Sequence, residues 1–386
     1  MMNSSTFYFG LSDEQQMIRE SVLNLLERIL PGQKILSLVQ ASEFPSEAYA
    51  ALAAAGWMGL PYPEQHGGSG ASFKDLAVLV ESLGYHNGQV ASAYLTTAVY
   101  GGLQILHGGT KAVRDELIPS IINGKKLLAI AMTEPDAGSD LSAIATRAQE
   151  HNGDFLLSGQ KTYITCAHIA DYIVVAAKTS PKLGYKGITL FLVDARSEGV
   201  TIRPLKSLGR EMVHTNDIFL HNVVVPRERM LGELNSGWAN MMRGLNIERM
   251  VLAASAVGNC QKIIDYARTY AKERRAFGQQ ISRFQAIAHK FADMQIMTET
   301  ARALTYRVAD MLDAGLNPIM ETCIAKTAAT ENNIRCADIG LQIMGGAGYM
   351  MDYEMQMFYR DARMGPIGGG TSEIMRNVIA KCMDIS

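Results

Sequence analysis

One glutamate within a long, mostly apolar helical pattern is the residue of this chain best suited to acid–base chemistry. A helix over residues 244–258 would place mostly apolar residues on the same side as Glu248. These neighbours are Leu245, Val251, Leu252 and Ser255. A carboxylate on such a face loses hydration, which raises its pKa toward the range where a general base works well. We therefore predict that Glu248 is a catalytic base. The alternative makes Glu248 and Arg249 ordinary surface charges of a packed helix.

The overall composition is that of a globular protein and argues against two classes of partner. Hydrophobic residues make up 48% and charged residues 19% of the 386 residues, which is enough to bury a large core in two or three domains. The net charge of -2 creates no overall field that favours nucleic acid or an anionic membrane surface. No segment approaches the roughly 20 consecutive apolar residues of a membrane span. We expect neither nucleic acid nor a membrane as a partner.

The cysteines, the histidines and the chain ends indicate a reducing, cytoplasmic location without a metal site. The five cysteines are odd in number, scattered and free of CxxC spacing, which argues against a disulfide framework or a zinc site. The eight histidines also lack metal-ligand spacing. The first ten residues do not form an export signal, and the final Asp-Ile-Ser is not a peroxisomal signal.

Helical patterns dominate the first third of the chain. Residues Ser12 to Gln15 match a capping box, and an apolar face follows it. Further helices are predicted at residues 45–55, 73–85, 90–106 and 113–122. A loop rich in Pro and Gly interrupts them at residues 62–70. We expect an N-terminal helical domain over residues 1–126.

The pattern changes to short β-branched runs after residue 126 and returns to helices after residue 236. Strands are predicted at residues 128–132, 154–157, 172–176, 188–193 and 217–220. Because no helices separate these strands, a barrel-like antiparallel β-domain over residues 127–232 is favoured over a doubly wound parallel sheet. Long helices are predicted at residues 237–269, 285–314 and 318–344, with a last one starting near Ser372. The predicted fold is multidomain α+β, ending in a C-terminal four-helix bundle over residues 233–386.

Five strings within this domain order carry a family resemblance. They are MTEPDAGSD at 132–140, GQKTYIT at 159–165, ERRAFG at 273–278, QIMGGAG at 342–348 and YRDAR at 359–363. Each glycine-containing string alone is also compatible with a simple turn. Together, in this order and over essentially the whole length, they make the chain resemble the acyl-CoA dehydrogenase family of flavoproteins. The resemblance implies the fold of that family and FAD as the cofactor.

The resemblance also assigns residues to FAD. It puts Thr133 at the edge of the isoalloxazine ring, Ser139 near the phosphates or the substrate, and Tyr163 and Thr165 against the flavin, with the Thr165 hydroxyl directed at N5. Arg274 with Phe277 would reach the FAD of a neighbouring subunit, which implies a homotetramer; alone, Arg274 reads as one solvated charge. The other implied cofactor residues are Met132, Gly138, Gln342, Gly345, Gly346, Thr371 and Glu373. Glu373 either contacts the cofactor or caps the last helix.

The main departure from the family lies at Gly369. Most relatives read Glu-Gly-Thr where this chain reads Gly369-Gly-Thr371, and that glutamate is their base. A glycine cannot accept the proton, although its amide can still donate to a thioester carbonyl. A minority of the family, including isovaleryl-CoA dehydrogenase and long-chain members, places the base in a string like Glu-Arg-x-x-x-Ala. The ERMVLA string that begins at Glu248 matches it. The resemblance therefore implies that Glu248 has replaced the missing base.

The implied reaction is α,β-dehydrogenation of an acyl-CoA. Glu248 would remove the α-proton while the β-hydrogen leaves as hydride to FAD, with an electron-transferring flavoprotein as the acceptor. Substrate contacts are predicted for Ser139, Asn246 and Arg249. Two alternatives stay open: an enzyme acting on a carrier-protein thioester or using oxygen directly, and a non-catalytic flavin-binding scaffold protein. Acyl length and branching depend on a pocket that Tyr94, Leu95 and Met364 either line or leave as part of the core.

Overall fold

The computed structural model describes residues 10–385. The prediction that the N-terminus carries no export signal concerns residues that lie almost entirely outside this range. No helix between residues 10 and 385 combines the length and the apolar character that crossing a membrane requires.

Helices form the first part of the described chain. They are α1 (Asp13–Ile29), α2 (Gly32–Ala41), α3 (Ser46–Ala54), α4 (Phe73–His86), α5 (Gly88–Tyr94), α6 (Gly102–Gly108) and α7 (Lys111–Ile122). The predicted capping box is confirmed, since the Ser12 hydroxyl accepts from the Gln15 amide and the Gln15 side chain accepts from the Ser12 amide. Helix α2 was not predicted; its ten residues begin directly after Pro31, which fits the first position before a helix.

Helices α5 and α6 are joined by a π-helical turn, Leu95–Gly101, into one continuous helical segment over residues 88–108. A π-turn inserts an extra residue into the helix, and such insertions are frequent at functional sites. The turn contains Tyr100, whose hydroxyl has no hydrogen-bond partner within the described chain. This segment forms one wall of the site described below.

The middle of the chain forms a sheet that is largely antiparallel. Its strands are β1 (Leu128–Ala131), β2 (Arg147–His151), β3 (Asp154–Thr165), β4 (Tyr172–Lys178), β5 (Ile188–Asp194), β6 (Val200–Leu205), β7 (Thr215–Val225) and β8 (Met230–Leu231). The order is β6-β7-β3-β2-β4-β5-β8, with β1 paired in parallel with β4. The five predicted strands are present. Strands β2 and β6 were missed because each leaves most of its residues exposed or half-buried and lacks a continuous apolar run.

Three long helices and a shorter one dominate the C-terminal part. After α8 (Gly237–Glu273) come a small hairpin of β9 (Arg275–Ala276) and β10 (Gln279–Gln280), then α9 (Gln285–Asp313), α10 (Ile319–Met344), α11 (Gly346–Tyr349), α12 (Met355–Ala362) and α13 (Ser372–Cys382). Helices α8 and α10 run in the same direction: Asn246 donates to Asn317 at 2.6 Å and Asn259 donates to Asn333 at 3.2 Å. The predicted multidomain α+β fold is confirmed: helices, then a largely antiparallel sheet, then a bundle of long helices follow one another along the described chain.

A buried ion pair ties together two of the strings noted above. Lys161 is fully buried, and its Nζ donates to Glu134 Oε1 at 2.7 Å and to the Met132 carbonyl at 3.0 Å. Glu134 also accepts from the backbone amides of Ala145 and Thr146 at 2.6 and 3.0 Å. Burial lowers the pKa of Lys161 to about 8, although Glu134 opposes that shift. The pair holds the loop after β1 against strand β3.

Replacing Lys161 with Met should lower the free energy of unfolding by about 3–5 kcal/mol, because it leaves the Glu134 carboxylate buried without its cation. Urea unfolding followed by circular dichroism measures the change. Lys182→Met, at an exposed position, is the matched control and should stay within about 0.5 kcal/mol of the parent. Equal stability of the Lys161 and Lys182 variants would show that the buried pair does not hold the loop.

Candidate active site

Glu248 and Gly369 face one another across the bundle. Glu248 lies on α8, and Gly369 lies in the loop between α12 and α13. A Cβ atom built on Gly369 would lie 3.8 Å from Glu248 Oε1. The Glu248 carboxylate therefore occupies space that a longer side chain at position 369 would enter. Burial raises the pKa of Glu248, against the opposing effects of Arg249 and Lys326. A half-buried carboxylate with a raised pKa has the character of a general base.

The loop beside Glu248 offers a backbone donor. Gly369 and Gly370 have φ values of +66° and +90°, in the region that favours glycine. Within residues 10–385 the Gly369 amide donates to no other group, so it is available to a ligand. Thr371 ends the loop by capping α13, since its hydroxyl accepts from the Ile374 amide at 3.2 Å. A base and a free amide donor thus lie side by side.

Two cations contact the carbonyl oxygens of the same loop. Arg249 Nε lies 3.4 Å from the Gly369 carbonyl oxygen, and Lys326 Nζ donates to the Gly370 carbonyl at 2.7 Å. Lys326, on α10, is fully buried and was not singled out from the sequence. The available signal was a lysine surrounded by the small and apolar residues of the string CIAKTAAT. Arg249 was predicted to bind substrate; it is buried against this loop and Cys323, and its contact with substrate stays a prediction.

A small cavity of about 50 Å³ opens beside Glu248. Apolar and aromatic side chains of the 88–108 segment, α8 and β1 line one part of it: Val99, Tyr100, Leu103, Ile130 and Ile247. Its remaining side chains are polar: Gln104, His107, Asn240 and Arg243. Tyr94 and Leu95, which the sequence left open as pocket or core, are buried and absent from this lining, so they belong to the core; Met364 is half-buried and packs beside Gly368.

Residues predicted to face the flavin gather where strands β1 and β3 end. The Thr162 amide donates to the Thr133 carbonyl at 3.0 Å, which brings the strings at 132–140 and 159–165 together. A bulge in β3 between Lys161 and Ile164 turns Tyr163 outward, with φ of +60° and 67% of its surface exposed. Met132, Thr133 and Thr165 are half-buried, and Gly138 and Ser139 are exposed.

This region fits FAD. An exposed aromatic ring provides an apolar surface for a flat ring system, and the hydroxyls of Thr133, Ser139 and Thr165 supply hydrogen bonds. The positive φ of Tyr163 costs about 1–3 kcal/mol, a strain of the kind found at ligand-binding sites. A Cβ on Gly138 would meet nothing within 4 Å, so the backbone there is open to a ligand.

A second set of predicted cofactor residues lies far from Glu248. At about 1.5 Å per helical residue, Arg274 is about 39 Å from Glu248 along α8, and Gln342 is about 24 Å from Lys326 along α10. Because α8 and α10 run in the same direction, both lie at the same end of the bundle. Phe277 is 96% exposed there, and Gly345 has φ of +59°. Gly346, beside it, has open space around its Cβ position.

Two further predicted residues have partners within the chain. Asn246, predicted to bind substrate, is buried with its side chain donating to Asn317 Oδ1. Glu373 is exposed in the first turn of α13, where hydrogen bonds to its own backbone and to Thr371 lower its pKa. This geometry is that of a helix cap, one of the two roles considered for Glu373. Contacts of Asn246 with substrate and of Glu373 with FAD stay predictions.

Comparison with known proteins gives consistent matches along the chain. Profiles described as the N-terminal, middle and C-terminal domains of acyl-CoA dehydrogenase match residues 12–125, 129–223 and 235–383. The 3-(aryl)acrylate reductase of Clostridium sporogenes is 40% identical, over 88% of this chain and 91% of its own length. The caffeyl-CoA reductase-Etf complex subunit CarC of Acetobacterium woodii is 38% identical, over 96% and 98%. The structure of butyryl-CoA dehydrogenase from Megasphaera elsdenii is similar with a TM-score of 0.93 and 30% identity, over 98% of this chain and 100% of that one.

Proposed function

Since this chain belongs to the acyl-CoA dehydrogenase family, we propose that Glu248 is the base with which it oxidises an acyl-CoA to the trans-2-enoyl-CoA. The chain is an FAD-dependent oxidoreductase acting on CoA thioesters. The observation that carries the assignment of the base is the position of Glu248 Oε1, 3.8 Å from the Cβ site of Gly369. The carboxylate thereby occupies the side of the loop on which most relatives present theirs.

Each residue of the site has its own role in this reaction. Glu248 accepts the α-proton, and its incomplete hydration keeps it basic enough to do so. The Gly369 amide donates to the thioester oxygen, which gains negative charge as the proton leaves. Thr133, Ser139, Tyr163 and Thr165 would hold FAD, which would supply the acceptor for the β-hydrogen. Apolar side chains of the cavity limit the access of water to Glu248.

Anaerobic titration with acyl-CoA thioesters tests this proposal. The purified, FAD-loaded protein is mixed with straight, branched and aryl-substituted acyl-CoAs, and the flavin absorbance is followed. At least one acyl-CoA should bleach the flavin with formation of the enoyl-CoA. If no acyl-CoA bleaches the flavin and no enoyl-CoA reoxidises the reduced flavin, the non-catalytic scaffold is favoured. Acyl-carrier thioesters and oxygen consumption, measured on the same preparation, test the other alternative.

The reverse reaction is a second candidate, because both curated relatives described above are named as reductases. The same residues serve it: protonated Glu248 returns a proton to the α-carbon, and the Gly369 amide stabilises the same oxygen. Chemically reduced protein is mixed with enoyl-CoA thioesters, including aryl-substituted ones, and the return of oxidised flavin is measured. Faster reoxidation by an aryl enoyl-CoA than bleaching by its saturated counterpart would assign the physiological direction to reduction.

We propose an electron-transferring flavoprotein as the redox partner. The name of one relative, a subunit of a reductase-Etf complex, supports this proposal. We also propose a cytoplasmic location, and domains over residues 1–126, 127–232 and 233–386.

We further propose a homotetramer in which a neighbouring chain completes each FAD site. The distance of about 39 Å between Glu248 and Arg274 supports this, because one chain holds the two groups of cofactor residues apart. Arg274 and Phe277 would then contact the FAD of the neighbour, where a guanidinium pairs with pyrophosphate. Light scattering tests the assembly, and a flavin-loaded, fully active monomer would contradict it.

Replacing Arg274 with Ala should weaken FAD retention by about 10-fold or more, through loss of a charge-assisted contact worth about 1.5–3 kcal/mol. Equilibrium dialysis of the flavin gives the dissociation constant. Arg283→Ala, another exposed arginine beyond the end of α8, is the matched control and should keep the parental affinity. If Arg274→Ala binds FAD as tightly as this control, Arg274 does not contact the cofactor.

A further inference from the structure

The Gly369–Gly370 loop is held through its carbonyl oxygens. Lys326 Nζ donates to the Gly370 carbonyl at 2.7 Å, and Arg249 Nε lies 3.4 Å from the Gly369 carbonyl. On either side, the Gly368 amide donates to the Met364 carbonyl at 3.0 Å, and Thr371 caps α13. Each peptide unit is planar, so the two anchored carbonyls hold the peptide planes that follow Gly369 and Gly370, and the Gly368 amide holds the plane before Gly368. The plane that carries the free Gly369 amide lies between these held planes, which limits its rotation.

Lys326 is an unusual residue for a purely structural contact. Lys161 and Arg302, two buried or largely buried cations elsewhere, each contact a carboxylate, at 2.7 and 3.0 Å. In the part of the chain that the structure describes, no carboxylate lies within ion-pair distance of Lys326, and its Nζ has only the neutral Gly370 carbonyl as acceptor. An unpaired buried charge is costly. A neutral donor would hold the carbonyl at lower cost, so the charge itself calls for an explanation.

We infer that Lys326 is a positioning residue for the reaction: it holds the loop so that the Gly369 amide faces the thioester oxygen, and it brings a positive charge to the loop that Glu248 approaches. The inference rests on the proposed function. Arg249 shares both tasks from α8. Lys326 acts through Gly369 and Glu248 and does not itself touch the substrate.

The groups around Glu248 support an electrostatic effect of Lys326. Arg249 beside it and Lys326 from α10 are its cationic neighbours, and both act to lower its pKa. Burial raises the pKa of Tyr100, from the 88–108 segment, and that of Cys323, from α10, so both are neutral. Burial and then Arg249 lower the pKa of Lys326 to about 8, against Glu248, Cys323 and Glu331. The charge of Lys326 therefore changes within an accessible pH range.

This arrangement predicts a bell-shaped dependence of the rate of flavin reduction on pH, with a lower and an upper limb. The rate should rise as Glu248 ionises and fall again above about pH 8, where Lys326 loses its proton. Lys326→Gln keeps a donor for the Gly370 carbonyl without the charge, so the upper limb should vanish and the lower limb should move to higher pH. Lys326→Arg keeps the charge to much higher pH, so the lower limb should return toward the parental position while the upper limb stays absent. A purely structural role would move neither limb.

Anaerobic stopped-flow reduction across about pH 5–10 measures these profiles, with an acyl-CoA that bleaches the parent flavin. At pH 7, Lys326→Gln should lower the limiting rate by about 10-fold to 100-fold, with substrate affinity within about 3-fold of the parent. Lys381→Gln, an exposed lysine on α13, is the control and should match the parent. If the pH profile of Lys326→Gln has both limbs at the same pH values as the parent, the electrostatic part of the inference is wrong.

Amide hydrogen exchange of residues 366–371 tests the positional part without catalysis. Lys326→Met should accelerate exchange in this loop relative to the parent and to Lys381→Met, while peptides from the middle of α8 keep their protection. Unchanged loop exchange in a folded Lys326→Met would overturn the positional part. If no CoA thioester reacts with the parent flavin, the proposed function fails, and the exchange result alone decides whether Lys326 holds the loop.

Discussion

Replacing Glu248 with Gln should lower the rate constant of flavin reduction by acyl-CoA by about 10²–10⁴-fold, the usual contribution of a positioned base. The amide has nearly the shape of the carboxylate but cannot accept the α-proton. FAD content and substrate affinity should therefore stay close to parental, so that the loss falls in the reductive half-reaction. Anaerobic stopped-flow absorbance measures the rate constant. Glu233→Gln, at an exposed position before α8, is the matched control and should reduce at the parental rate.

The same substitution should raise thermal stability. The pKa of Glu248 is raised by burial, so the folded protein holds this proton more tightly than the unfolded chain does. The stability that Glu248 contributes is thus fully present below its unfolded pKa and is lost as the pH rises through the folded value. At neutral pH the neutral amide avoids this loss, and Tm should rise relative to the parent.

Flavin reduction at the parental rate in Glu248→Gln would show that the base lies elsewhere.

Moving the carboxylate to position 369 should restore only a small part of the activity unless Leu252 is shortened as well. A Cβ on Gly369 would lie 2.4 Å from Leu252 Cδ1, closer than real Cβ contacts, and the φ of +66° adds about 1–3 kcal/mol for any residue with a side chain. Glu248→Gly with Gly369→Glu therefore places its new carboxylate against Leu252. A displacement of about 1 Å can cost about 10²-fold in rate.

Adding Leu252→Ala to that pair of substitutions should raise the rate of flavin reduction by about 10-fold or more over the double variant, because the side chain at position 369 then has room. Glu248→Gly with Leu252→Ala, which has no carboxylate at either position, is the control and should be as slow as Glu248→Gln. A double variant as fast as the triple variant would mean that Leu252 readily moves aside. A triple variant no faster than the control would mean that position 369 does not face the α-carbon in this chain.

Local sequence patterns were sufficient for the main elements and for the candidate base. The helical period around Glu248 and the β-branched runs after residue 126 depend on neighbouring residues only, so they are readable without the fold. The capping box at Ser12 is equally local. Strands β2 and β6 escaped because most of their residues are exposed or half-buried, and helix α2 escaped although Ile35 and Val39 have helical spacing. The family strings supplied the remaining candidate residues.

The tertiary structure decided which of these residues meet. Lys326 is 44 residues from Gly370 in sequence, and Arg249 is 120 residues from Gly369, so no local pattern relates them. Their contact depends on how α8 and α10 pack against the loop before α13, as does the approach of Leu252 to Gly369. The parallel course of α8 and α10 likewise brings Arg274 and Gln342 to the same end of the bundle. Sequence alone determined the type of the main elements and the chemistry available to them, since these follow from short-range periodicity and residue type. The packing of distant segments decided which groups share the site with Glu248.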